Sequence, residues 1–317
     1  MKKTTCGLLI QLSWCITGLC ANPRWQVFGS PIPARTDVDV RWEAPTNLLS
    51  SEVWVYRLLP NRFSPEVILH LSALCSLTEH DKRQQTSDMV TFQSADGQRR
   101  LSVMFPSGRI DYKTVNSAES PTNMVKDVPS ELEALGLTKR LLPRIGIGLS
   151  DVTKPASSEP DLHVSADEVT YFSNQTAVTI IKWRSVGFRR VVDNMVISGG
   201  NGGYLHFGEG GKLCEIGISW HILQRIKSFR TYSVERTIRL FHEGKAFQGL
   251  VPGDFGRIDW RTVKSVTVTK AVPCYCAGKS DVLYPFLALS AVVEADRGKV
   301  EIEIDCPMID EAQSLTE

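Results

Sequence analysis

The sequence predicts an α+β fold made of repeated units, each with one helix packed on an antiparallel β-meander. Three observations predict it. A run of apolar alternation closed by Gly-basic-apolar is written twice, as Leu101, Val103, Phe105 then Gly108-Arg109-Ile110, and as Leu205, Phe207 then Gly211-Lys212-Leu213. Helix-start signals stand ahead of strand-forming runs rather than between parallel ones. The last run sets Val300, Ile302 and Ile304 against Glu301, Glu303 and Asp305, the period of an antiparallel sheet with one wet face.

The elements follow in chain order. Residues 22–48 carry Pro, Arg and Asp without periodicity and read as an extended lead-in, with a short strand at Val38-Asp39-Val40. Glu52 to Tyr56 alternates and is rich in strand formers. Ser64 as N-cap with Pro65 at the first helical position then starts a helix whose apolar stripe is Val67, Ile68, Leu71, Leu74 and Cys75. Met89 to Phe92, Arg100 to Phe105 and Arg109 to Lys113 form the meander beneath it, turning at Ala95-Asp96-Gly97 and Pro106-Ser107-Gly108. Residues 114–127 are a linker. Ser130 and Glu133 make a capping box for a second helix that Pro143 ends, and residues 151–167 read as a loop. Thr170 to Trp183, Val186 to Val192, Tyr204 to Phe207 and Leu213 to Ile218 are strands. A short helix from Ser233, closed by Gly244, precedes strands at Val263 to Lys270, Tyr284 to Glu294 and Lys299 to Asp305.

The domain organisation on this reading is a signal peptide over residues 1–21, the lead-in over 22–48, a first α+β unit over 49–116 and a second α+β domain, single or double, over 128–310. Lys2-Lys3 ahead of an apolar stretch from Cys6 to Cys20 supplies the signal peptide, with an imperfect cleavage site at Leu19-Cys20-Ala21. Secretion or a place in the periplasm or cell envelope is therefore expected. A retained N-terminal anchor is the other reading of the same stretch, which is short for a membrane span.

Composition excludes more than it assigns. The 42% hydrophobic and 22% charged fractions are those of a folding globular chain. The formal charge of +1 becomes −1 without Lys2 and Lys3, so no bulk field draws nucleic acid or anionic lipid. Of eight cysteines, Cys75, Cys214, Cys274, Cys276 and Cys306 lie beyond the leader, an odd number whose pairing the sequence leaves open. The Cys274-Tyr275-Cys276 spacing is too tight for a zinc knuckle. A bridge from Cys274 or Cys276 to Cys306, stapling neighbouring strands, is the favoured arrangement, and buried free thiols are the other reading.

The segments Gly187-Phe188-Arg189-Arg190-Val191-Val192-Asp193, Gly202-Gly203-Tyr204-Leu205-His206-Phe207-Gly208 and Leu283-Tyr284-Pro285-Phe286 resemble those of PepSY-like and YycI/YycH-type exported regulatory modules. The resemblance covers residues 50–310 loosely. It implies an exported, non-catalytic module that holds or restrains a partner protein. A cleavable leader and an odd cysteine count depart from that pattern.

The glycines from Gly199 to Gly211 sit between strands and Gly211-Lys212 is followed by Leu213, so no phosphate loop is formed. The six histidines, His70, His80, His163, His206, His221 and His242, show no i, i+4 pair, and no Gly-x-Ser-x-Gly elbow exists. Glu209, Glu215, Asp254 and Asp259 are the carboxylates that could meet as acid and base. Trp183-Arg184, Arg189-Arg190 and His206 could form a basic, aromatic sheet surface, and Asn174-Gln175-Thr176 is a glycosylation sequon.

No catalytic, cofactor-binding or metal-ligating residue is assigned. The expected function is an exported, non-catalytic binding or regulatory protein acting on a protein or cell-envelope partner through a sheet face or edge. The alternative is a secreted hydrolase of glycan or peptide using paired carboxylates. Nucleic acid is not expected as a partner, nor is membrane once the leader is removed.

Overall fold

The computed structural model describes residues 30–46, 52–78, 81–114, 127–153, 159–173, 176–249, 258–277 and 281–310. Residues 1–21, where a signal peptide is expected, Asp254, His80, and Asn174 with Gln175 of the sequon lie outside the described residues. In chain order the strands are β1 (Ser30–Pro31), β2 (Asp39–Trp42), β3 (Glu52–Leu59), β4 (Lys82–Gln85), β5 (Met89–Gln93), β6 (Arg99–Met104), β7 (Arg109–Thr114), β8 (Leu162–Ser173) and β9 (Thr176–Arg189). They continue as β10 (Val191–Val192), β11 (Met195–Ser198), β12 (Gly202–Phe207), β13 (Leu213–Ser219), β14 (Ile222–Arg230), β15 (Phe247–Gln248), β16 (Val263–Ala277), β17 (Val282–Ala295) and β18 (Gly298–Pro307). Helices α1 (Pro65–Leu74), α2 (Glu131–Arg144) and α3 (Val234–His242) complete a mixed α+β fold of two sheets.

The first sheet has ten strands in the order β1-β15-β18-β17-β16-β11-β10, with β2 beside the first half of β16 and β3 joining β17 to β14. Its long hairpins β16/β17 and β17/β18 are antiparallel, whereas β2 and β11 run parallel to β16. Leu283, Leu287, Leu289, Ile302, Ile304 and Tyr275 form its core, and α3 adds Phe241, edge-on to Trp260. The expected one-wet-face alternation holds over β18: Ile302 and Ile304 are buried, Glu301 and Glu303 exposed.

The second sheet has eight strands in the order β4-β5-β6-β7-β13-β12-β9-β8, antiparallel at each pairing. The two copies of the repeated sequence pattern become the hairpins β6/β7 and β12/β13, and these meet where β7 pairs with β13. One face buries Val90, Leu101, Val103, Ile110, Val186, Leu205 and Ile216 against Leu71 of α1 and Ala134 and Leu142 of α2. Both helices begin as their sequences require. The Ser64 hydroxyl accepts from Val67 N–H with Pro65 following, and Ser130 and Glu133 exchange bonds in a capping box.

Two local expectations are corrected. Pro143 lies inside α2, not at its end: the helix runs on to Arg144 and Ile145 caps it. Residues 162–189 form a long hairpin, β8/β9, in place of the loop reaching Asp167 and the single strand from Thr170 to Trp183. The sequence between β8 and β9 carries no Gly or Pro to mark the end of one strand and the start of the next.

The chain passes between the sheets four times: after β3, after β9 at Arg190, between β11 and β12 at residues 199–201, and after β13 at Trp220-His221. All four passages tie into one polar waist. The Arg190 guanidinium sits 4.7 Å over the Trp220 ring and donates to the His221 carbonyl. Asn201 Oδ1 accepts from His221 N–H at 3.0 Å and the Asn201 carbonyl accepts from Arg190 N–H at 3.0 Å. Asn61 Nδ2 donates to the Trp220 carbonyl at 2.8 Å. Gly108, at φ 55°, closes the waist from below, since a Cβ there would stand 2.4 Å from the Trp220 carbonyl oxygen.

Candidate functional site

Because side chains alternate along a strand, burying one parity of the second sheet under α1 and α2 sends the other parity to the opposite face. Among the described residues no helix covers that face. It carries Asp111 and Lys113 of β7, Glu215 and Gly217 of β13, Tyr204 and His206 of β12, and Trp183 and Ser185 of β9, half-buried or exposed throughout. Register places Glu215 directly opposite both Lys113 and His206, and His206 opposite Ser185.

The centre of the face is a ladder of rings on a carboxylate. The indole of Trp183 stacks on His206 with centroids 5.6 Å apart and planes 14° from parallel, and Tyr204 lies 4.7 Å from His206 on its other side. The Tyr204 hydroxyl donates to Glu215 Oε1 at 2.8 Å, while His206 Nδ1 stands 3.4 Å from Glu215 Oε2. Gly217 makes this possible. A Cβ at that position would meet the Tyr204 ring at 2.4 Å, so the ring lies across bare backbone and reaches Glu215.

The electrostatics follow from these contacts. The bond to His206 holds the Glu215 carboxyl below the usual carboxylate range, aided by Tyr204 and opposed by partial burial. Asp167 of β8, opposite Trp183, moves the other way: burial raises it, with Lys182 and His206 pulling against the rise. The face therefore offers flat aromatic surface beside one firmly ionised carboxylate and one that gives up its proton less readily.

The residues singled out by sequence disperse. His206 and Glu215, a strand histidine and a candidate acid in the sequence, come together across the β12/β13 pair. Arg184 turns to the helix side, donating to the Pro129 carbonyl at 3.3 Å and lying 3.5 Å from Glu131; Arg190 serves the waist and Arg189 is exposed. The continuous basic surface is thus divided between two faces. Glu209 is exposed in a 3-10 turn over Glu209–Gly211, and Asp259 caps the turn Trp260–Thr262 and pairs with Arg261 at 3.0 Å, so neither stands with Glu215. His163 lies 3.5 Å from Asp161, His242 bonds the Val38 carbonyl and His221 is in the waist. Tyr204 was missed as a site residue; its two-residue spacing from His206 on a strand was the available signal.

The expected bridge to Cys306 is absent, and Cys75, Cys214, Cys274, Cys276 and Cys306 are all free. The reason is topological. β16 and β18 flank β17 on opposite sides, and Cys274 pairs with Phe286 while Cys306 pairs with its neighbour Leu287, which points to the other face.

No family model matches the chain, and no curated protein matches it. Among solved structures, an uncharacterized protein from Eubacterium rectale aligns over 84% of this chain and 86% of its own, with 10% identity and a TM-score of 0.45. The restriction endonuclease MvaI without DNA aligns over 60% of this chain and 80% of its own, with 7% identity and a TM-score of 0.10. Neither likeness is close enough to carry an argument about fold or activity. No described helix is long and apolar enough to cross a membrane.

Proposed function

We propose that the chain is an exported, non-catalytic binding or regulatory module that receives a protein or cell-envelope partner on the open face of its eight-stranded sheet. The observation that carries this reading is the asymmetry of that sheet: two helices cover one face, while the other holds Trp183, His206 and Tyr204 in a half-exposed ladder. Aromatic side chains offer large contact area at low entropic cost, and recognition surfaces are enriched in them. The element order supports a further reading, two units of one helix and four strands (α1 with β4–β7, α2 with β8, β9, β12 and β13) fused along β7 and β13. Such units are the kind that the likeness to PepSY-like and YycI/YycH-type modules implies.

The test is site-specific photocrosslinking of the full chain in its native envelope. A photoreactive residue in place of Ser185 is expected to capture a discrete partner, and the same residue in place of Glu66 on α1 is expected to capture none. Equal labelling at both positions, or labelling at Glu66 alone, would overturn the reading.

The hydrolase alternative has one observation in its favour, the opposed titration of Asp167 and Glu215 around His206, since paired acid and base roles are made by environments that push two carboxyls apart. Turnover of a glycan or peptide library, abolished by Glu215→Gln, would establish it and displace the binding reading.

A further inference from the structure

We propose that Cys274 and Cys276 form a reversible redox site, a dithiol within one strand that closes to an intrastrand disulfide. The two residues flank Tyr275 on β16, so strand periodicity points both sulfurs to one face and the tyrosine to the other. Their Sγ atoms are 4.0 Å apart, one thiol donating to its neighbour, and both side chains are buried. No other described cysteine competes: Cys306 belongs to the far side of β17, Cys75 packs in the core of the second sheet and Cys214 lies on its strand β13.

Geometry sets the character of the bond. Residues two apart on a strand have Cα atoms about 6.6–6.8 Å apart, at the upper end of the roughly 4.4–6.8 Å that a disulfide spans. Closure therefore needs rotation about both Cα–Cβ bonds and a slight puckering of β16. A bridge made under that constraint is easily reduced, which suits a switch and not a permanent staple. The chemistry balances with an external disulfide such as oxidised glutathione. One thiol gives up its proton and its thiolate attacks a sulfur of the external disulfide, expelling one glutathione thiolate. The second thiolate then displaces the other glutathione. Two protons and two electrons leave the dithiol, and the external disulfide becomes two thiols. The hydrogen bond with Cys274 and burial both push the Cys276 thiol up, so exchange quickens as pH rises.

The site is placed to be felt elsewhere. At these residues β16 pairs in parallel with β11, Val196 opposite Cys274 and Ser198 opposite Cys276, and β11 leads straight into the passage at residues 199–201. Tyr275 stands edge-on to Tyr56 at 5.5 Å, and the Tyr56 hydroxyl donates to Asp193 in the turn between β10 and β11. Puckering β16 therefore moves the strand that enters the waist.

The experiment equilibrates the full chain in glutathione buffers from reduced to oxidised, approached from both sides, then quenches with acid, alkylates and digests with trypsin. Cleavage after Lys270 and Lys279 gives a peptide holding Cys274 and Cys276 and no other cysteine. With rising oxidised glutathione it is expected to change from doubly alkylated to unalkylated and lighter than the free dithiol by two hydrogens, about 2 Da. Cys274→Ser or Cys276→Ser abolishes that species, and Cys306→Ser leaves it. A peptide doubly alkylated at every ratio, glutathionylated without ring closure, or crosslinked to the Cys306 peptide overturns the proposal.

Discussion

Asp305 shows how one residue's surroundings set a pH response. Burial against β17 and the nearby Glu303 carboxylate raise its carboxyl to about 6, well above an ordinary aspartate. Since the folded state binds this proton more tightly than the unfolded one, its stabilising contribution is full below the unfolded value near 4. That contribution is lost as pH rises through 6. Asp305→Asn is thus expected to stabilise the protein at pH 8 by about 2 kcal/mol and to change little at pH 4, read from urea unfolding at both values. Glu215 has the opposite sign. Its lowered carboxyl contributes stability above the ordinary carboxylate value and loses it as pH falls through the folded one, so Glu215→Gln destabilises at pH 7 and converges on the parent in acid. Gly217→Ala is expected to displace the Tyr204 ring and break its bond to Glu215. A chemical-shift titration should then show the Glu215 carboxyl returning toward its ordinary range, and an unchanged titration would refute the role given to the bare backbone.

Among the elements, those with local chemical signals were legible. Ser64-Pro65 and the Ser130/Glu133 box announce α1 and α2 because their side chains meet orphan amides within one turn, and no distant contact is needed. Ser130→Ala is expected to cost about 1 kcal/mol, seen as a lowered urea midpoint with unchanged slope. The strand β14 escaped notice because its pattern is broken twice. It carries Gln224, Arg225, Lys227, Ser228 and Arg230 among its apolar residues, and a bulge between Arg225 and Lys227 shifts the alternation by one. The β8/β9 hairpin was hidden for a similar reason, a register shift at Asp167/Glu168 in a segment whose two strands are joined without Gly or Pro. The pairing of His206 with Glu215 could not be read at all, since it depends on the register between two strands and not on any spacing along one.

At the scale of the whole molecule, the waist decides whether the two sheets behave as one. Arg190 joins both by stacking on Trp220 and bonding the start of β14, and burial lowers its guanidinium, as expected for a cation held away from water. Arg190→Ala is expected to cost 2 kcal/mol or more, on the order found when a buried network loses its charged member, and to separate the unfolding of the two sheets. Parallel urea curves by far-UV circular dichroism and tryptophan fluorescence check this. They should coincide in the parent and diverge in the variant; coincidence in both would mean that the sheets are coupled by other contacts.

The fourfold passage of the backbone through that waist has a practical consequence for anyone dividing the gene. Neither sheet is encoded by one uninterrupted stretch: β10 and β11 are spliced between β9 and β12, and β3 is severed from β14 by the whole of β4–β13. A truncation anywhere between β4 and β13 therefore strips partners from both layers at once, and one within β14–β18 dismantles the first sheet, so the protein must be expressed, labelled and refolded as a whole.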